Sequence, residues 1–196
     1  KGREWFRAGD FDAGVDDMGY REYYVRMLQY GAFLPLFRSH GTDTPREIWR
    51  FGRPGEPFYA SILRMIRLRY RLIPYIYSLA GKVTQESYTM SRLLAFDFAD
   101  DARVHDIKDE FMFGPAFLVC PVTRPMYYDK GSVALQGVEK TRTVYLPEGT
   151  DWVDFWSGKK YRGGRDVKAD APIDRIPLFV RQGSIVPMGP VVQHTG

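Results

Sequence analysis

An apolar run of strand length near the start of the chain ends in an arginine and a histidine. The run covers residues 30–37, and Arg38 and His40 follow it directly. Residues 16–30 predict a capped helix before the run, and residues 58–78 predict a long helix after it. This order is one and a half turns of a βα repeat. Side chains at the C-terminal ends of such strands carry the chemistry of α/β barrels, so Arg38 and His40 are the first candidates for a functional site.

The periodicity of the sequence changes near residue 90. Helical spacing dominates before it, and Pro74 is expected to kink the second helix because proline lacks a backbone donor and clashes with the preceding turn. Residues 99–111 look like a connector with one short helix. Short apolar runs bounded by glycine, proline or aspartate come next, and they predict the strands of an antiparallel β-sandwich at 116–120, 143–146, 152–156, 177–180 and 184–187.

The composition is that of a folded chain with a substantial core. Of 196 residues, 44% are hydrophobic and 15% aromatic, which fits one or two domains. No run of 18 apolar residues and no signal-like opening segment occur, so no membrane partner is expected. The single cysteine, Cys120, excludes an intrachain disulfide and is expected to be a buried hydrophobe. It slightly favours the cytoplasm, but localisation stays open because the sequence starts at Lys1 rather than at methionine.

A net charge of +4 raises the question of a nucleic-acid partner. Four arginines lie on the second predicted helix and alternate with apolar residues, namely Arg64, Arg67, Arg69 and Arg71. This spacing predicts the solvated or ion-paired side of an amphipathic helix rather than a phosphate-binding stripe. No nucleic-acid-binding motif accompanies it, so no nucleic acid is expected as a partner.

Metal and cofactor motifs do not occur in the sequence. The three histidines, His40, His105 and His194, are far apart and lack the spacing of a zinc site. Gly163 and Gly164 lie in a predicted turn rather than between a strand and a helix, so no phosphate-binding loop is expected. The prediction is therefore no metal and no cofactor.

A longer stretch around Arg38 and His40 resembles a known family. The sequence VRMLQYGAFLPLFRSH, residues 25–40, resembles the second signature of glycoside hydrolase family 31, the retaining α-glucosidases and α-xylosidases. Met27 stands where that signature usually has tryptophan, and Leu36 stands where it usually has an aromatic residue. The resemblance extends over nearly the whole chain, since successive blocks of the family have counterparts in the same order at 45–52, 68–77, 109–122 and 144–156.

The resemblance implies a fold of the α/β plus all-β type. Residues 1–88 would form the C-terminal part of a (β/α)8 TIM barrel, with its last strand and helices. Residues 89–190 would form the proximal C-terminal domain, an antiparallel β-sandwich. Residues 191–196 would start a linker to a further domain.

The resemblance also implies the activity of a retaining, exo-acting α-glycosidase that hydrolyses terminal α-linked glucose or xylose from oligosaccharides. Such chemistry needs two carboxyl groups about 5 Å apart. The family blocks that carry the nucleophilic and the acid/base aspartates do not occur here, and the residues around Asp10 and Asp16 resemble them only weakly. No catalytic residue is therefore assigned. Both carboxylates are expected upstream in a longer hydrolase, and the 196 residues alone are expected to be inactive.

His40 and Arg38 are the predicted substrate-binding residues. A histidine can donate to and accept from vicinal sugar hydroxyls, and an arginine offers a rigid fork of donors to carboxylates. By resemblance, His40 matches the sugar-binding histidine of the family, and Arg38 matches the arginine that braces the carboxylates of the site. Spacing alone leaves open that both residues merely cap the barrel.

Other polar and aromatic residues receive less specific predictions. Asp43, Arg46 and Glu47 can shape the entrance to the site, or Arg46 and Glu47 can pair and hold their loop. Trp49 and Phe51 are expected in the core. In the β-rich half, packing is favoured over sugar stacking for Trp152, Phe155, Trp156 and Tyr161.

The expected partners are an α-linked oligosaccharide and the remainder of the longer polypeptide. A homo-oligomer is also expected, because a partial barrel exposes apolar surface. Two alternatives belong to other classes: a noncatalytic carbohydrate-binding β-sandwich, and an interaction module whose basic helix docks on a partner. Lyase chemistry within the family is a third. The sequence does not separate a glucosidase from a xylosidase, since the residues that contact the 6-hydroxymethyl group are expected on loops outside this chain.

Overall fold

Helices dominate the first half of the structure. The computed structural model of the chain describes residues 11–41 and 44–192. Asp17 caps the first helix, its Oδ1 accepting from the Gly19 N–H at 2.8 Å, and the capped helix predicted at 16–30 is thereby confirmed. The helices are α1 (Met18–Gly31), α2 (Pro57–Arg71), α3 (Ile73–Glu86) and α4 (Leu94–Asp97), with 3₁₀ turns at Gly14–Asp16, Ile48–Phe51 and Ala102–Asp106. The last of these turns is the short helix predicted in the connector.

The expected kink at Pro74 is a break between two helices. α2 ends just before Leu72, whose ψ is −1°, and α3 begins just after it with Pro74 in its first turn. Proline is tolerated there because first-turn N–H groups have no acceptor within their own helix. α3 then continues to Glu86, beyond the predicted end at Ser78. The helical region is therefore longer than predicted and consists of two separate helices.

The strand predicted at 30–37 does not form, so that prediction is wrong. α1 extends through Gly31, and no residue from Ala32 to Gly41 pairs with any described strand. An extended segment becomes a strand only when a neighbouring edge supplies its hydrogen bonds. Residues 32–41 are named the site segment below. Three of its carbonyls bind a side chain instead of a sheet.

Short antiparallel strands dominate the second half. The described strands are β1 (Ser91–Leu93), β2 (Phe111–Phe113), β3 (Phe117–Val119), β4 (Tyr128–Asp129), β5 (Val133–Ala134), β6 (Thr141–Leu146), β7 (Asp151–Asp154), β8 (Lys160–Arg162), β9 (Arg165–Asp170) and β10 (Leu178–Arg181). They form a six-stranded sheet in the order β1-β2-β3-β10-β7-β8 and the two pairs β4-β5 and β6-β9. The strands predicted at 116–120, 143–146, 152–156 and 177–180 are confirmed as β3, β6, β7 and β10.

The last predicted strand, at 184–187, is wrong. Ile185 is 89% exposed, while Val186 packs against the core beside the helices. The Gly189 N–H donates to the Arg71 carbonyl at 2.8 Å. The segment is an irregular strap across the end of α2, because it binds carbonyls at a helix end rather than the edge of a sheet.

The centre of the six-stranded sheet, strands β3 and β10, is buried on both faces. Along β3 and β10, Phe117 and Leu178 pack with the helices, whereas Leu118 and Phe179 pack with the β6–β9 pair. This alternation follows from the two-residue period of a strand. Full burial of one such side chain stabilises the fold by about 1.5–3 kcal/mol relative to exposure. The core is therefore a stack of three layers: helices, sheet and strand pair.

A buried ion pair attaches α1 to the β-rich half. Glu22 accepts three backbone N–H bonds of 2.9 Å from residues 126–128. Arg26 donates to three carbonyls within residues 171–175 at 2.8–3.1 Å. Burial lowers the pKa of Arg26 to about 10, and the Glu22 carboxylate 4.0 Å away opposes that shift. The pair thus fixes two loops of the β-rich half to one helix.

A buried carboxyl lies just before β2. Glu110 Oε1 accepts from the Tyr145 N–H at 3.0 Å and lies 3.6 Å from Arg142. Its Oε2 is buried and has no hydrogen-bond partner among the described residues. Burial raises the pKa of Glu110 to about 7. The protonated carboxyl is therefore favoured here below neutral pH.

Glu110→Gln should flatten the pH dependence of stability. A carboxyl whose pKa rises from 4.5 in the unfolded chain to about 7 in the folded one binds its proton more tightly when folded. The free energy of unfolding of the wild type therefore falls as the pH rises through this window, by roughly 1–3 kcal/mol. In chemical denaturation, the variant should match the wild type at the acidic end of the window and exceed it at mildly alkaline pH.

Glu86→Gln, at an exposed site of α3, is the control for this measurement. It should leave the shape of the stability curve unchanged. Parallel curves for the wild type and the Glu110 variant would contradict the raised pKa.

Candidate functional site

Arg38 and His40 lie side by side on the surface of the site segment. Arg38 Nη2 is 3.0 Å from His40 Nδ1, and both residues are exposed. A guanidinium only donates, so Nδ1 is the acceptor and the neutral imidazole carries its proton on Nε2. The structure thus brings the two predicted residues together and leaves the Nε2–H of His40 as a donor for a ligand.

Tyr24 of α1 holds the residue between them. Its hydroxyl donates to Ser39 Oγ at 2.8 Å, and its ring stacks on Phe51 with the centroids 4.4 Å apart. Burial raises the pKa of Tyr24, which keeps the hydroxyl protonated and able to donate. The middle of the Arg38–His40 tripeptide is therefore attached to α1.

A cleft of about 300 Å³ opens beside the tripeptide. This volume is at the lower end of the range for small-molecule sites, roughly 300–1,000 Å³. Aromatic walls with a few converging donors suit a sugar, which offers both apolar C–H faces and hydroxyls. The lining includes four tyrosines of α1 and four polar side chains of the following residues, namely Tyr20, Tyr23, Tyr24, Tyr30, Arg38, Ser39, His40 and Arg46.

The loop after the site segment is described only in part. Arg46 donates to the Thr44 carbonyl at 2.8 Å, and its guanidinium lies against Gly41, where a Cβ atom would collide with it. Among the ion pairs of the described residues, none joins Arg46 to Glu47. Arg46 lines the cleft. Asp43 lies outside the described residues, as do two other residues considered above, Asp10 and His194.

The two aromatic residues of the next turn point in different directions. Phe51 is fully buried, as predicted, whereas Trp49 is 68% exposed, so the core prediction for Trp49 is wrong. The cause is the 3₁₀ turn, whose period of three residues places Ile48 and Phe51 on one side and Trp49 on another.

The aromatic residues of the β-rich half pack internally, as predicted. Trp152 is fully buried, and its Nε1 donates to the Pro147 carbonyl at 3.0 Å. Trp156 donates from Nε1 to the Ile176 carbonyl at 2.6 Å. Tyr161 meets Phe179 edge to face. These contacts agree with the prediction that the rings pack within the chain.

Two arginines of α2 bind other groups of the chain. Arg64 forms an ion pair with Asp174 and lies over the ring of Trp156. The prediction of an ion-paired face is confirmed for this residue. Arg69 differs, because it is half-buried and donates to carbonyls of the site segment.

Sequence reasoning missed the supporting roles of Tyr24 and Arg69. A usable signal existed for Arg69, since a residue four after Met65 and three before Leu72 borders the buried stripe of its helix. No comparable signal marks Tyr24, because its partner Ser39 lies beyond the end of α1.

Neither a metal-binding cluster nor a membrane-spanning helix occurs in the described part of the chain. Among residues 11–41 and 44–192, no group of three or more histidine, cysteine, aspartate or glutamate side chains is placed to hold a metal ion. Within the same ranges, no helix is both long and apolar enough to cross a membrane.

Two family profiles match the chain. Residues 8–79 match the profile of the glycosyl hydrolase family 31 TIM-barrel domain, and residues 87–186 match that of the family 31 C-terminal domain. The chain belongs to glycosyl hydrolase family 31. The resemblance noted in the sequence is thereby confirmed, and so is the coarse fold, a portion of a TIM barrel followed by the C-terminal domain.

Similar family members include α-xylosidases and an α-glucosidase. An α-xylosidase of Saccharolobus solfataricus is 42% identical over 92% of this chain, which covers 23% of that protein. α-Glucosidase 2 of Bacillus thermoamyloliquefaciens is 32% identical over 89% of the chain and 20% of its own length. The crystal structure of a Xanthomonas citri α-xylosidase is 50% identical, with a TM-score of 0.79 over 88% of this chain and 18% of its own. The chain thus spans about a fifth of the length of these family members.

Tyr24→Phe should destabilise the chain slightly and leave its fold intact. The substitution removes the hydroxyl that binds Ser39 and keeps the ring that stacks on Phe51. A hydrogen bond of this kind contributes about 0.5–1.5 kcal/mol, and chemical denaturation should detect a loss of that size. Tyr77→Phe, at an exposed position, is the control and should change nothing. Equal stability of the Tyr24 and Tyr77 variants would mean that the bond to Ser39 contributes nothing.

Proposed function

We propose that the protein to which these residues belong is a retaining, exo-acting α-glycosidase that removes terminal α-linked xylose from oligosaccharides. These residues supply part of the sugar-binding pocket and not the catalytic carboxylates. One observation carries the proposal: an exposed Arg38–His40 pair borders a tyrosine-lined cleft in a chain of glycosyl hydrolase family 31. An α-glucosidase is the second candidate.

The proposed chemistry assigns a separate task to each side chain. Glycoside cleavage with retention passes through oxocarbenium-like transition states, and hydrogen bonds to sugar hydroxyls strengthen as charge develops on the ring. The Nε2–H of His40 would donate such a bond. Among the described residues, the contact of Arg38 with His40 uses Nη2, so the other guanidinium nitrogens would pair with a carboxylate and keep that carboxylate ionised.

Xylose is favoured over glucose by the pattern of similarity. The α-xylosidases of Saccharolobus solfataricus and Xanthomonas citri are 42% and 50% identical to this chain, whereas neutral α-glucosidase C of Mus musculus is 38% and α-glucosidase 2 is 32% identical. Two other xylosidases are 32% and 30% identical, so the preference for xylose rests on the first two values. Xylose lacks the hydroxymethyl group that glucose carries. A pocket that discriminates one such group changes selectivity by roughly 10- to 200-fold, so the two activities are distinguishable in a simple assay.

The remainder of the polypeptide is the proposed partner of the apolar surface near the site segment. Met27 and Leu36 are exposed, and they are the two positions where the sequence departs from the family signature. The proposed organisation is a barrel portion over 1–88, a β-sandwich over 89–190 and a linker that starts at 191. Of that linker, residues 193–196 lie outside the described residues.

The longer polypeptide should cleave an aryl α-xyloside with a kcat/KM at least about tenfold above that for the matching α-glucoside. The 196 residues alone should cleave neither, because no carboxylate pair is assigned to them. Turnover that persists through purification of the 196-residue chain would contradict the assignment. Sugar binding by the short chain, without activity in the long one, would favour a carbohydrate-binding module.

His40→Ala in the longer polypeptide should lower kcat/KM by on the order of 10², because a transition-state hydrogen bond is lost. The melting temperature should stay near that of the wild type, since His40 is exposed. His105→Ala is the matched control, because that histidine is also exposed and its ring binds only the Ala99 carbonyl. A normal kcat/KM in folded His40→Ala protein would remove His40 from the site. A lower melting temperature with unchanged activity would assign it a capping role.

A further inference from the structure

One guanidinium of α2 binds the backbone of the site segment at three points. Arg69 Nη1 donates to the carbonyls of Ala32 at 3.0 Å and Leu34 at 2.6 Å, and its Nη2 donates to that of Pro35 at 2.9 Å. The guanidinium carbon also lies 5.7 Å from the centre of the Phe37 ring. Arg69 therefore contacts the segment from its first residue to the residue before Arg38.

These bonds take the place of a strand ladder. The site segment pairs with no described strand, so its carbonyls need other donors. A guanidinium is planar and presents its N–H groups in a fixed fork, so three bonds from one side chain determine both the position and the direction of the backbone. Burial lowers the pKa of Arg69, and its hydrogen bonds go to neutral carbonyls. The Arg69 side chain thus directs its hydrogen bonds to the backbone of this segment.

The site tripeptide is attached to the helices at two places. Arg69 determines where the chain enters at residues 32–35, and Tyr24 holds Ser39 at the far end. Between these attachments lie only Leu36, Phe37 and Arg38. A short segment with both ends held has little conformational freedom, so the guanidinium of Arg38 and the imidazole of His40 keep their positions beside the cleft.

We propose that Arg69 is a positioning residue, which aligns the Arg38–His40 pair with the sugar cleft through the backbone of the site segment. This inference rests on the proposed function. Arg69 itself does not contact the substrate. Its effect on turnover would pass entirely through His40 and Arg38, and that route separates it from a residue that only stabilises the fold.

The first test uses the longer polypeptide and three variants. Arg69→Met keeps the length of the side chain and removes all its donors, and it should lower kcat/KM for the aryl α-xyloside by about 10 to 100-fold, as expected for misplaced binding groups. Arg69→Lys should restore part of that loss, because an ammonium donates from one point rather than from a fork. Arg67→Met, at an exposed position of the same helix, is the control and should stay within about twofold of the wild type.

The activity of a double variant distinguishes a positioning role from a purely structural one. If Arg69 acts through the Arg38–His40 pair, Arg69→Met should cost clearly less activity in the His40→Ala background than in the wild type, because only the part of its effect that passes through Arg38 is left, so the two losses should not fully multiply. Losses that do fully multiply would overturn the proposal. Folded Arg69→Met protein with kcat/KM within about twofold of the wild type would also overturn the proposal. Neither result would contradict the proposed function.

A second test does not depend on activity. Amide hydrogen exchange on the 196-residue chain should become at least about tenfold faster in Arg69→Met at Phe33 and Leu34, whose N–H groups donate to the Tyr30 and Gly31 carbonyls, while the amides of α3 keep their protection. Unchanged exchange in the site segment would overturn the positioning role. If the longer polypeptide cleaves no α-glycoside, the proposed function is wrong, and this measurement still decides whether Arg69 holds the segment.

Discussion

A sheet whose central strands are buried on both faces is the constraint on which the rest of the structure depends. All three residues of β3 are buried, and its neighbour β10 alternates between the helical side and the side of the β6–β9 pair. Each face therefore needs its own cover. The helices provide one and the strand pair provides the other. A boundary near residue 88 divides the sequence by composition, but the core beneath the helices draws residues from both sides of it, such as Leu79 and Phe113.

Arginine side chains bind the loops that surround this core. Arg26 donates to carbonyls within residues 171–175, Arg69 donates to carbonyls of the site segment, and Arg142 donates to the carbonyls of Asp109 and Pro121. Loops have no ladder of their own, and a buried carbonyl without a donor is costly. One guanidinium can serve several carbonyls at once. Part of the positive charge of the chain is therefore explained by internal hydrogen bonding rather than by attraction to a polyanion.

The candidate site lies on the surface, yet it connects to the buried sheet through a series of contacts. Glu22 and Arg26 fix α1 to the loops of the β-rich half, and α1 carries Tyr24, which holds Ser39. From the other side, Arg69 extends from a helix whose Met65 and Leu68 belong to the central core. The Arg38–His40 pair thus gains a defined geometry from buried elements although it is itself exposed. That combination suits recognition of a sugar, which needs access for the ligand and fixed donors for its hydroxyls.

The sequence by itself determined the family, α1, the strands β3, β6, β7 and β10, and the pairing of Arg38 with His40. These features depend on local signals: an N-cap, a two-residue period between turn residues, and two side chains that project to the same side of an extended chain. Only the tertiary structure decided that the site segment forms no strand, that the helices separate at Leu72 and that Arg69 supports the site. The bonds from Arg69 join residues about 35 positions apart in the chain. Whether an extended run becomes a strand depends on the neighbour that folding places beside it, and among the described residues that neighbour is a guanidinium rather than the edge of a sheet.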